Sequence, residues 1–269
     1  MDAVSAIILG IVQGLTEFLP VSSTGHLILA REFLSISDTY GLAFDAVLHL
    51  ATAAAVALYF RKDFLRLIYA VLYRVTRRPV PQEDERLVVL LIIATIPAVI
   101  LGVLLESTME TVFRSPVVVA WMLIVGSLIF IAAEWAGRRY EEQVQVPGIR
   151  GALAIGLFQA LALIPGMSRS GMTISGGLFL GLTREAAARF GFLLSFPIIL
   201  GSGGKKFLEL VQVGALDTIG GMVILGAIAA FVSGLLAIHY LLKFVRNHSL
   251  GVFAAYRIIL ALVVLAFFV

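Results

Sequence analysis

The sequence predicts an all-α integral membrane protein with six transmembrane helices and two re-entrant helical hairpins in an inverted-topology repeat. Two observations carry this prediction. Of the 269 residues, 60% are hydrophobic and 14% are charged, and the mean hydropathy is +1.03. A soluble domain of this length has too little interior to bury so much apolar side-chain surface. The second observation is that long apolar stretches alternate with short polar segments along the whole chain.

Six apolar stretches are close to the roughly 20 residues that a helix needs to cross the hydrocarbon core of a bilayer. They are 42–60, 87–106, 117–136, 186–202, 219–242 and 250–268. Two further apolar regions, 3–30 and 151–183, are interrupted by Pro20 and by Pro165-Gly166. Non-helical backbone at membrane depth is tolerated only where it is buried in protein or lines a wet cavity. We therefore expect the functional site at these two breaks.

Basic loop residues predict the orientation in the membrane, because cytoplasmic loops are rich in lysine and arginine. The 61–86 loop carries Arg61, Lys62, Arg66, Arg74, Arg77, Arg78 and Arg86. The loops 137–150 and 243–249 are also basic and are predicted to be cytoplasmic, whereas 107–116 and 203–218 then face outside. The first hairpin thus enters from the outer face and the second from the cytoplasm.

The two interrupted regions resemble each other. Placing residue 13 on residue 159 aligns identical residues, among them Gln13 with Gln159, Ser22 with Ser168 and Gly25 with Gly171. Each break is followed by three predicted spans. We therefore predict one membrane domain over 1–269 with inverted halves at about 1–140 and 150–269. In such repeats the paired broken helices usually form a site near the middle of the bilayer.

In the first hairpin, Gln13 and Glu17 are four residues apart and share one helix face that ends at the Pro20 break. A carboxylate is costly in an apolar segment, so we expect it to face the cavity with a partner or a metal ion. The alternative is a structural hydrogen bond that pins the hairpin.

After Pro20 the chain reads Ser22-Ser23-Thr24-Gly25-His26. Either Ser22 or Ser23 can cap the helix that restarts here, and the free N–H groups of a helix N-terminus bind phosphate. His26 lies one turn inside this helix and is suited to act as a base, an acid or a phosphoryl acceptor. Ordinary capping with a core histidine is the alternative.

The second break carries Ser168-Arg169-Ser170-Gly171-Met172-Thr173. At membrane depth the permanent charge of Arg169 needs an anionic partner, and its planar guanidinium binds a phosphate bidentately. Thr173 lies one turn further along the same face, and Ser168 and Ser170 add donors. A structural ion pair between Arg169 and Glu17 is the alternative, and the two roles can coexist if substrate replaces the pair.

Other polar residues in the spans are predicted to be structural. We expect Asp45 and His49 to form hydrogen bonds with neighbouring helices. Glu134 and Arg257 lie near the ends of spans, so we expect their side chains to snorkel to the membrane surface.

Several classes of function are excluded by missing patterns. The sequence contains no cysteine, which excludes disulfides and thiolate chemistry. It contains no Walker loop, no zinc-protease motif and no dinucleotide fingerprint. Its basic residues lack the interleaved aromatics of a nucleic-acid surface, so we expect no nucleic-acid partner. The N-terminal segment lacks the basic region of a signal peptide, and we expect no cleaved leader.

With these motifs in hand, the chain resembles the bacitracin-resistance family of undecaprenyl-diphosphatases. The resemblance rests on QGLTEFLPVSSTGH at 13–26 and PGMSRSGMTISGG at 165–177, and the span pattern extends it over essentially the whole chain. It implies six spans, two re-entrant hairpins and hydrolysis of undecaprenyl (C55 polyprenyl) diphosphate, assisted by Mg²⁺ or Ca²⁺. It also implies a plasma-membrane (inner-membrane) site open toward the outer face, where the lipid carrier is recycled for cell-wall synthesis.

The family's functional residues have counterparts here. The resemblance implies catalytic roles for Glu17, Ser23, His26 and Arg169, and phosphate binding by Ser22, Ser168, Arg169, Ser170 and Thr173. Many relatives carry glutamate where this chain has Gln13. A cation held by Glu17 and Gln13 would therefore need phosphate oxygens and waters to complete its ligand shell. Whether His26, Ser23 or water is the nucleophile stays open.

The rival prediction is a polyprenyl-phosphate transporter or flippase, since inverted repeats with broken helices are also a transporter architecture. Both functions need the same phosphate-binding cavity. The expected partners are a polyprenyl diphosphate lipid and membrane lipid, and a homodimer is a candidate assembly.

Overall fold

A computed structural model describes residues 1–36, 41–111, 115–212 and 216–268. Within these ranges the chain forms eleven helices, and the only β-type pairing is an isolated bridge between Val144 and Leu182. The helices are α1 Ala3–Phe18, α2 Ser23–Leu34, α3 Gly41–Tyr59, α4 Arg61–Val75, α5 Gln82–Thr111, α6 Pro116–Gly137, α7 Ile149–Leu161, α8 Arg169–Phe179, α9 Arg184–Gln212, α10 Leu216–Val245 and α11 Gly251–Phe268.

The predicted all-α multi-pass membrane fold is confirmed. The helices that are long and apolar enough to cross a membrane are Gln82–Leu105, Pro116–Gly137, Arg184–Glu209, Gly220–Val245 and Gly251–Phe268. A sixth span results if Ala43–Tyr59 is taken with Arg61–Val75, which bends away from it by 84°. Each of the six predicted spans coincides with one of these helices.

The basic segment after the first span was predicted to be a loop, but its first part is helix α4. The helix is amphipathic: Leu67 and Ala70 are buried, whereas Leu65, Ile68 and Leu72 are exposed. Its basic residues lower the mean hydropathy of the segment, and this low value hid the helical spacing of its apolar residues. Both the sharp bend from α3 and the exposed apolar side chains suit a helix that lies along a membrane surface.

The two interrupted regions form two pairs of short helices. Helix α1 ends at Phe18 and α2 begins at Ser23, and α7 ends at Leu161 before α8 begins at Arg169. Both breaks thus lie where the sequence predicts them. Entry of the two hairpins from opposite faces of the membrane stays a prediction.

The helices before the breaks are held by close contacts at glycine. A Cβ atom on Gly10 of α1 would lie 2.3 Å from the carbonyl oxygen of Gly226 in α10. A Cβ atom on Gly156 of α7 would lie 2.4 Å from the carbonyl oxygen of Ala94 in α5. Small residues allow backbones to approach closely in membrane helix packing. Helix α1 thus packs on α10, and α7 packs on α5. The division into halves 1–140 and 150–269 stays a prediction; under this division, α1 and α7 each pack on a span of the other half.

Candidate active site

The two breaks lie against each other inside the helix bundle. The Gly166 N–H donates to Ser22 Oγ over 3.2 Å, and the Ser170 hydroxyl donates to the Leu19 carbonyl oxygen over 3.1 Å. Ser22 and Ser170 are buried. The hairpins therefore meet at their polar tips, as the paired motifs predict.

Both restarting helices begin with the same serine cap. Ser22 and Ser168 have φ values of 77° and 74°, in the left-handed region, and their hydroxyl oxygens accept from Gly25 N and Gly171 N. A serine side chain that accepts from the N–H three residues on satisfies one of the free donors of a helix start. The caps place Ser23 and Arg169 at the first positions of α2 and α8.

Glu17 is the centre of a buried polar cluster. The Ser23 hydroxyl donates to Glu17 Oε2 over 2.6 Å, and Gln13 Nε2 donates to the same oxygen over 3.0 Å. The Glu17 side chain is only 4% exposed. A buried carboxylate needs such donors to offset the loss of its hydration. The predicted pairing of Gln13 and Glu17 on one helix face is therefore present, and Ser23 joins it across the break.

Arg169 lies on the other side of the same carboxylate. Its Nη2 atom is 3.7 Å from Glu17 Oε1, which makes a loose ion pair. Its Nη1 atom is buried and has no hydrogen-bond partner among the described residues. Buried donors are normally paired, so an unpaired guanidinium N–H marks a position that a ligand oxygen can occupy. The ion pair with Glu17, predicted as the structural alternative, is present, and it leaves donors of Arg169 for a phosphate.

His49 of α3 belongs to this cluster, which the sequence analysis did not predict. Its Nδ1 atom lies 2.9 Å from Gln13 Nε2 and 3.3 Å from Glu17 Oε2. Because the amide nitrogen of Gln13 is a donor, His49 Nδ1 is the acceptor of that bond. We expected His49 to bond a neighbouring helix; it does so, and the partner is the Glu17 cluster. An ionisable residue within a span was the available signal.

His26 forms its hydrogen bonds outside the Glu17 cluster. Its Nδ1 atom is 2.8 Å from the Ser22 carbonyl oxygen, and its Nε2 atom is 2.8 Å from the Tyr256 hydroxyl. A carbonyl oxygen only accepts, so Nδ1 carries a proton and Nε2 accepts from Tyr256 in the neutral ring. The structure thus places His26 beside Ser22, with both ring nitrogens engaged, and Tyr256 is a contact that the sequence analysis missed.

The remaining predicted phosphate-binding residues line the start of α8. Ser168 Oγ is 3.2 Å from Ser170 Oγ, and Thr173 Oγ1 donates to the Arg169 carbonyl oxygen over 3.0 Å. Thr173 is buried against Gly191 of α9. The structure therefore brings all the predicted phosphate-binding residues to the two helix starts, whereas their roles stay predictions.

Two residues expected to snorkel are buried instead. Glu134 pairs with Arg184 through bonds of 2.9 and 2.6 Å and accepts from Leu250 N over 2.8 Å. Arg257 is fully buried and donates to backbone carbonyl groups at both breaks. The snorkelling prediction was wrong for both, because distance from the end of a span does not reveal partners that are remote in sequence.

The Glu17 cluster fits a divalent cation that binds together with substrate. Gln13 Oε1 is buried and accepts no hydrogen bond from a described residue, and Glu17 Oε1 has only the loose contact with Arg169. Amide and carboxylate oxygens are the ligand types that Mg²⁺ and Ca²⁺ take. The described residues contain no group of three His, Asp or Glu side chains able to hold a metal by itself. Further ligands would therefore come from phosphate and water.

Fold and site define a multi-pass helical membrane protein whose Glu–Ser–Arg cluster joins two broken helices. Residues 6–263 match the family described as "Bacitracin resistance protein BacA", and the chain belongs to this family. The resemblance given by the two motifs is thereby confirmed.

Relatives at high identity span the whole chain. The undecaprenyl-diphosphatase of Rubrobacter xylanophilus is 46% identical over 268 residues, which cover 99% of this chain and 98% of that protein. The undecaprenyl-diphosphatase of Gemmatimonas aurantiaca is 46% identical over 269 residues, with 99% and 98% covered. The undecaprenyl-diphosphatase 1 of Burkholderia ambifaria is 43% identical over 265 residues, with 97% and 93% covered.

Proposed function

We propose that the chain hydrolyses undecaprenyl diphosphate to undecaprenyl phosphate and inorganic phosphate. This reaction recycles the lipid carrier of cell-wall synthesis and confers bacitracin resistance. The names of the full-length relatives support this activity. The observation that carries the chemistry is the 2.6 Å bond from the Ser23 hydroxyl to Glu17 Oε2, with Arg169 at the other carboxylate oxygen. A hydroxyl bonded to a buried carboxylate is the arrangement of a nucleophile and its general base.

In the first step Ser23 Oγ attacks the terminal phosphorus of the diphosphate, and its proton passes to Glu17. The bond from that phosphorus to the bridging oxygen breaks, and the electron pair leaves with undecaprenyl phosphate. Glu17 then releases its proton to solvent and takes another from water, which attacks the phosphoserine. As the bond from phosphorus to Ser23 Oγ breaks, Oγ takes the proton from Glu17, so inorganic phosphate leaves and both side chains return to their starting forms.

Arg169 and the helix starts stabilise the charge of the phosphoryl group. In phosphoryl transfer, catalysis is mostly positioning and electrostatic stabilisation of the equatorial oxygens. The buried Nη1 of Arg169, which has no partner in the described part of the chain, supplies one donor. Ser22, Ser168, Ser170 and Thr173 hold the backbone around it. A divalent cation, Mg²⁺ or Ca²⁺, held by Glu17 and Gln13 would neutralise part of the diphosphate charge.

The contacts of His26 favour Ser23 as the nucleophile. Both ring nitrogens of His26 are engaged, with the Ser22 carbonyl oxygen and the Tyr256 hydroxyl. Ser23, in contrast, already donates to the carboxylate that would take its proton. We assign His26 to holding the Ser22 carbonyl and thereby the N-terminus of α2.

The charges of the loops support a location for the site. The basic residues of 61–86 support a cytoplasmic position for α4 and the segment that follows it. We propose a plasma-membrane protein whose site opens toward the outer face, where the spent carrier is found.

Phosphate release in detergent tests this function. We expect the purified protein, given undecaprenyl diphosphate and Mg²⁺, to release inorganic phosphate in multiple turnovers. Chelation of the cation by EDTA is expected to lower the rate by at least about tenfold, since the cation offsets charge in the transition state. Adding back Mg²⁺ or Ca²⁺ should restore it.

The same assay separates the enzyme from the transporter or flippase. Detergent removes the two compartments that transport requires, so a pure transporter binds the lipid phosphate without cleaving it. Retained binding of undecaprenyl diphosphate without any phosphate release would contradict the proposed hydrolysis and favour the transporter.

A further inference from the structure

Arg257 occupies a position that is costly for a charged side chain. It lies in the apolar helix α11 and is 0% exposed. Its hydrogen bonds within the described residues all go to uncharged groups, and it forms no ion pair with a described carboxylate. A buried cation at membrane depth without a counter-ion is rare and usually functional.

The acceptors of Arg257 are backbone carbonyl oxygens of both breaks. Nη1 donates to Pro20 O over 3.3 Å and to Met167 O over 3.1 Å, and Nη2 donates to Gly166 O over 2.9 Å. Carbonyl groups at a helix end have no helical N–H partner, and inside a membrane no bulk water replaces it. The guanidinium offers five donors in one plane, more than any other side chain.

One nitrogen atom of Arg257 therefore ties the first hairpin to the second. Pro20 lies two residues before the cap Ser22, and Met167 lies one residue before the cap Ser168. Any change in the separation of these two carbonyl groups moves the starts of α2 and α8. Those starts carry Ser23 and Arg169, which lie on opposite sides of the Glu17 carboxylate.

Helix α6 is shaped to receive the guanidinium. A Cβ atom on Gly126 would lie 2.1 Å from Arg257 Nη2, so a larger residue cannot stand there without moving it. Ser127 Oγ accepts from Nε over 3.1 Å, and the Phe130 ring centroid lies 4.6 Å from Cζ. A cation over an aromatic face is stabilised by the ring quadrupole. Gly126, Ser127 and Phe130 together form a pocket on α6 that holds the Arg257 guanidinium.

We propose that Arg257 is a positioning residue that holds the two hairpin breaks at a fixed separation, so that Ser23 and Arg169 face one diphosphate. The proposal rests on the proposed hydrolysis for its kinetic part only. Its structural part, that the breaks lose their fixed separation without the guanidinium, stands on the carbonyl contacts alone.

Arg257→Lys tests the proposal because it keeps the positive charge and removes the planar guanidinium with its separate Nη1 and Nη2 donors. A single ammonium group cannot reach Pro20 O, Gly166 O and Met167 O together. We expect kcat to fall by about a hundredfold with KM within about threefold of the wild-type value, since displaced catalytic groups cost this much. Hydrogen exchange of peptides covering 19–26 and 162–171 should accelerate, while that of 184–209 should not change.

Gly126→Ala is the second variant, because it keeps arginine at position 257 but fills the space that the guanidinium occupies. It is expected to change kcat and the exchange of the two break peptides in the same direction. The matched control is Gly201→Ala in α9, where an added Cβ meets nothing within 4 Å. This control should keep wild-type kcat and exchange. If Arg257→Lys does not fold, Gly126→Ala decides by the same two measurements.

The outcomes separate the proposal from the proposed function. Wild-type kcat and unchanged exchange of the break peptides in Arg257→Lys or Gly126→Ala would overturn the role of Arg257. Faster exchange throughout the chain would also overturn it, because that result indicates general destabilisation. If the wild-type protein releases no phosphate, the proposed hydrolysis fails, whereas the exchange measurement still decides on Arg257.

Discussion

Replacing Arg169 by alanine is expected to lower phosphate release by at least about a thousandfold, the range found when a transition-state arginine is removed from a phosphoryl-transfer site. The variant loses the buried Nη1 donor and the positive charge of the guanidinium, whose Nη2 atom lies 3.7 Å from Glu17 Oε1. Arg169→Lys keeps the charge and loses the planar fork, so we expect a loss of about a hundredfold. The measurement is kcat/KM for phosphate release in detergent.

The matched control for Arg169 is Arg246→Gln. Arg246 pairs with Glu185 through two bonds of 2.6 and 2.9 Å, and this pair is more exposed than the pair of Arg169 with Glu17. Exposed ion pairs contribute little to stability, so activity should stay at the wild-type level. If Arg169→Ala keeps a turnover within tenfold of the wild type, Arg169 does not stabilise the phosphoryl group in the reaction.

Glu17→Gln is expected to lower kcat by about a thousandfold, since positioned general bases contribute on this scale. The substitution keeps the size of the side chain and one acceptor oxygen for the Ser23 hydroxyl, but an amide cannot take the Ser23 proton. Arg169 also loses the partner of its ion pair and stays free to bind substrate. We therefore expect binding of undecaprenyl diphosphate, measured by equilibrium dialysis in detergent, to persist while turnover is lost.

Glu185→Gln is the matched control for this carboxylate-to-amide change, because Glu185 pairs with Arg246 and not with the residues that contact Glu17. It should leave phosphate release unchanged. A Glu17→Gln variant that turns over at a rate near that of the wild type would show that Glu17 is not the base. A loss of binding equal to the loss of turnover would instead show that Glu17 acts through substrate or cation binding alone and not as the base.

Local sequence patterns were enough to predict the elements that carry the site. The spacing of Gln13 and Glu17 placed them on one face, and both form the cluster that the spacing predicts. Either Ser22 or Ser23 was predicted to cap the helix after the first break, and Ser22 is that cap. Ser168, which aligns with Ser22 in the repeat, caps α8 in the same way. These features depend on residues within one helical turn, where spacing and side-chain chemistry determine the geometry.

Contacts between residues remote in sequence were not predictable in the same way. His49 lies 32 positions after Glu17, and nothing local indicates that its Nδ1 reaches the same carboxylate. Arg257 resembles a lipid-facing arginine until the carbonyl groups of both breaks are found around it. Helix α4 was not predicted because its charged residues lower the mean hydropathy of the segment. In each case the partner depends on helix packing, which periodicity does not specify.

The architecture alone does not decide between hydrolysis and transport, since paired broken helices serve both. The difference lies in one hydrogen bond. Both functions need donors for phosphate, whereas the proposed hydrolysis also needs a nucleophile whose proton can pass to a base. The 2.6 Å contact of Ser23 with Glu17 is therefore the central feature of the site.

Trapping the phosphorylated enzyme tests this feature most directly. The protein is mixed with undecaprenyl diphosphate labelled in its terminal phosphate, quenched rapidly at neutral pH to preserve phosphohistidine, and mapped by mass spectrometry. We predict a phosphoryl group on Ser23 that appears before free phosphate and is absent in Ser23→Ala. A phosphoryl group on His26, or full turnover by Ser23→Ala, would contradict the assignment of Ser23 and Glu17 as nucleophile and base.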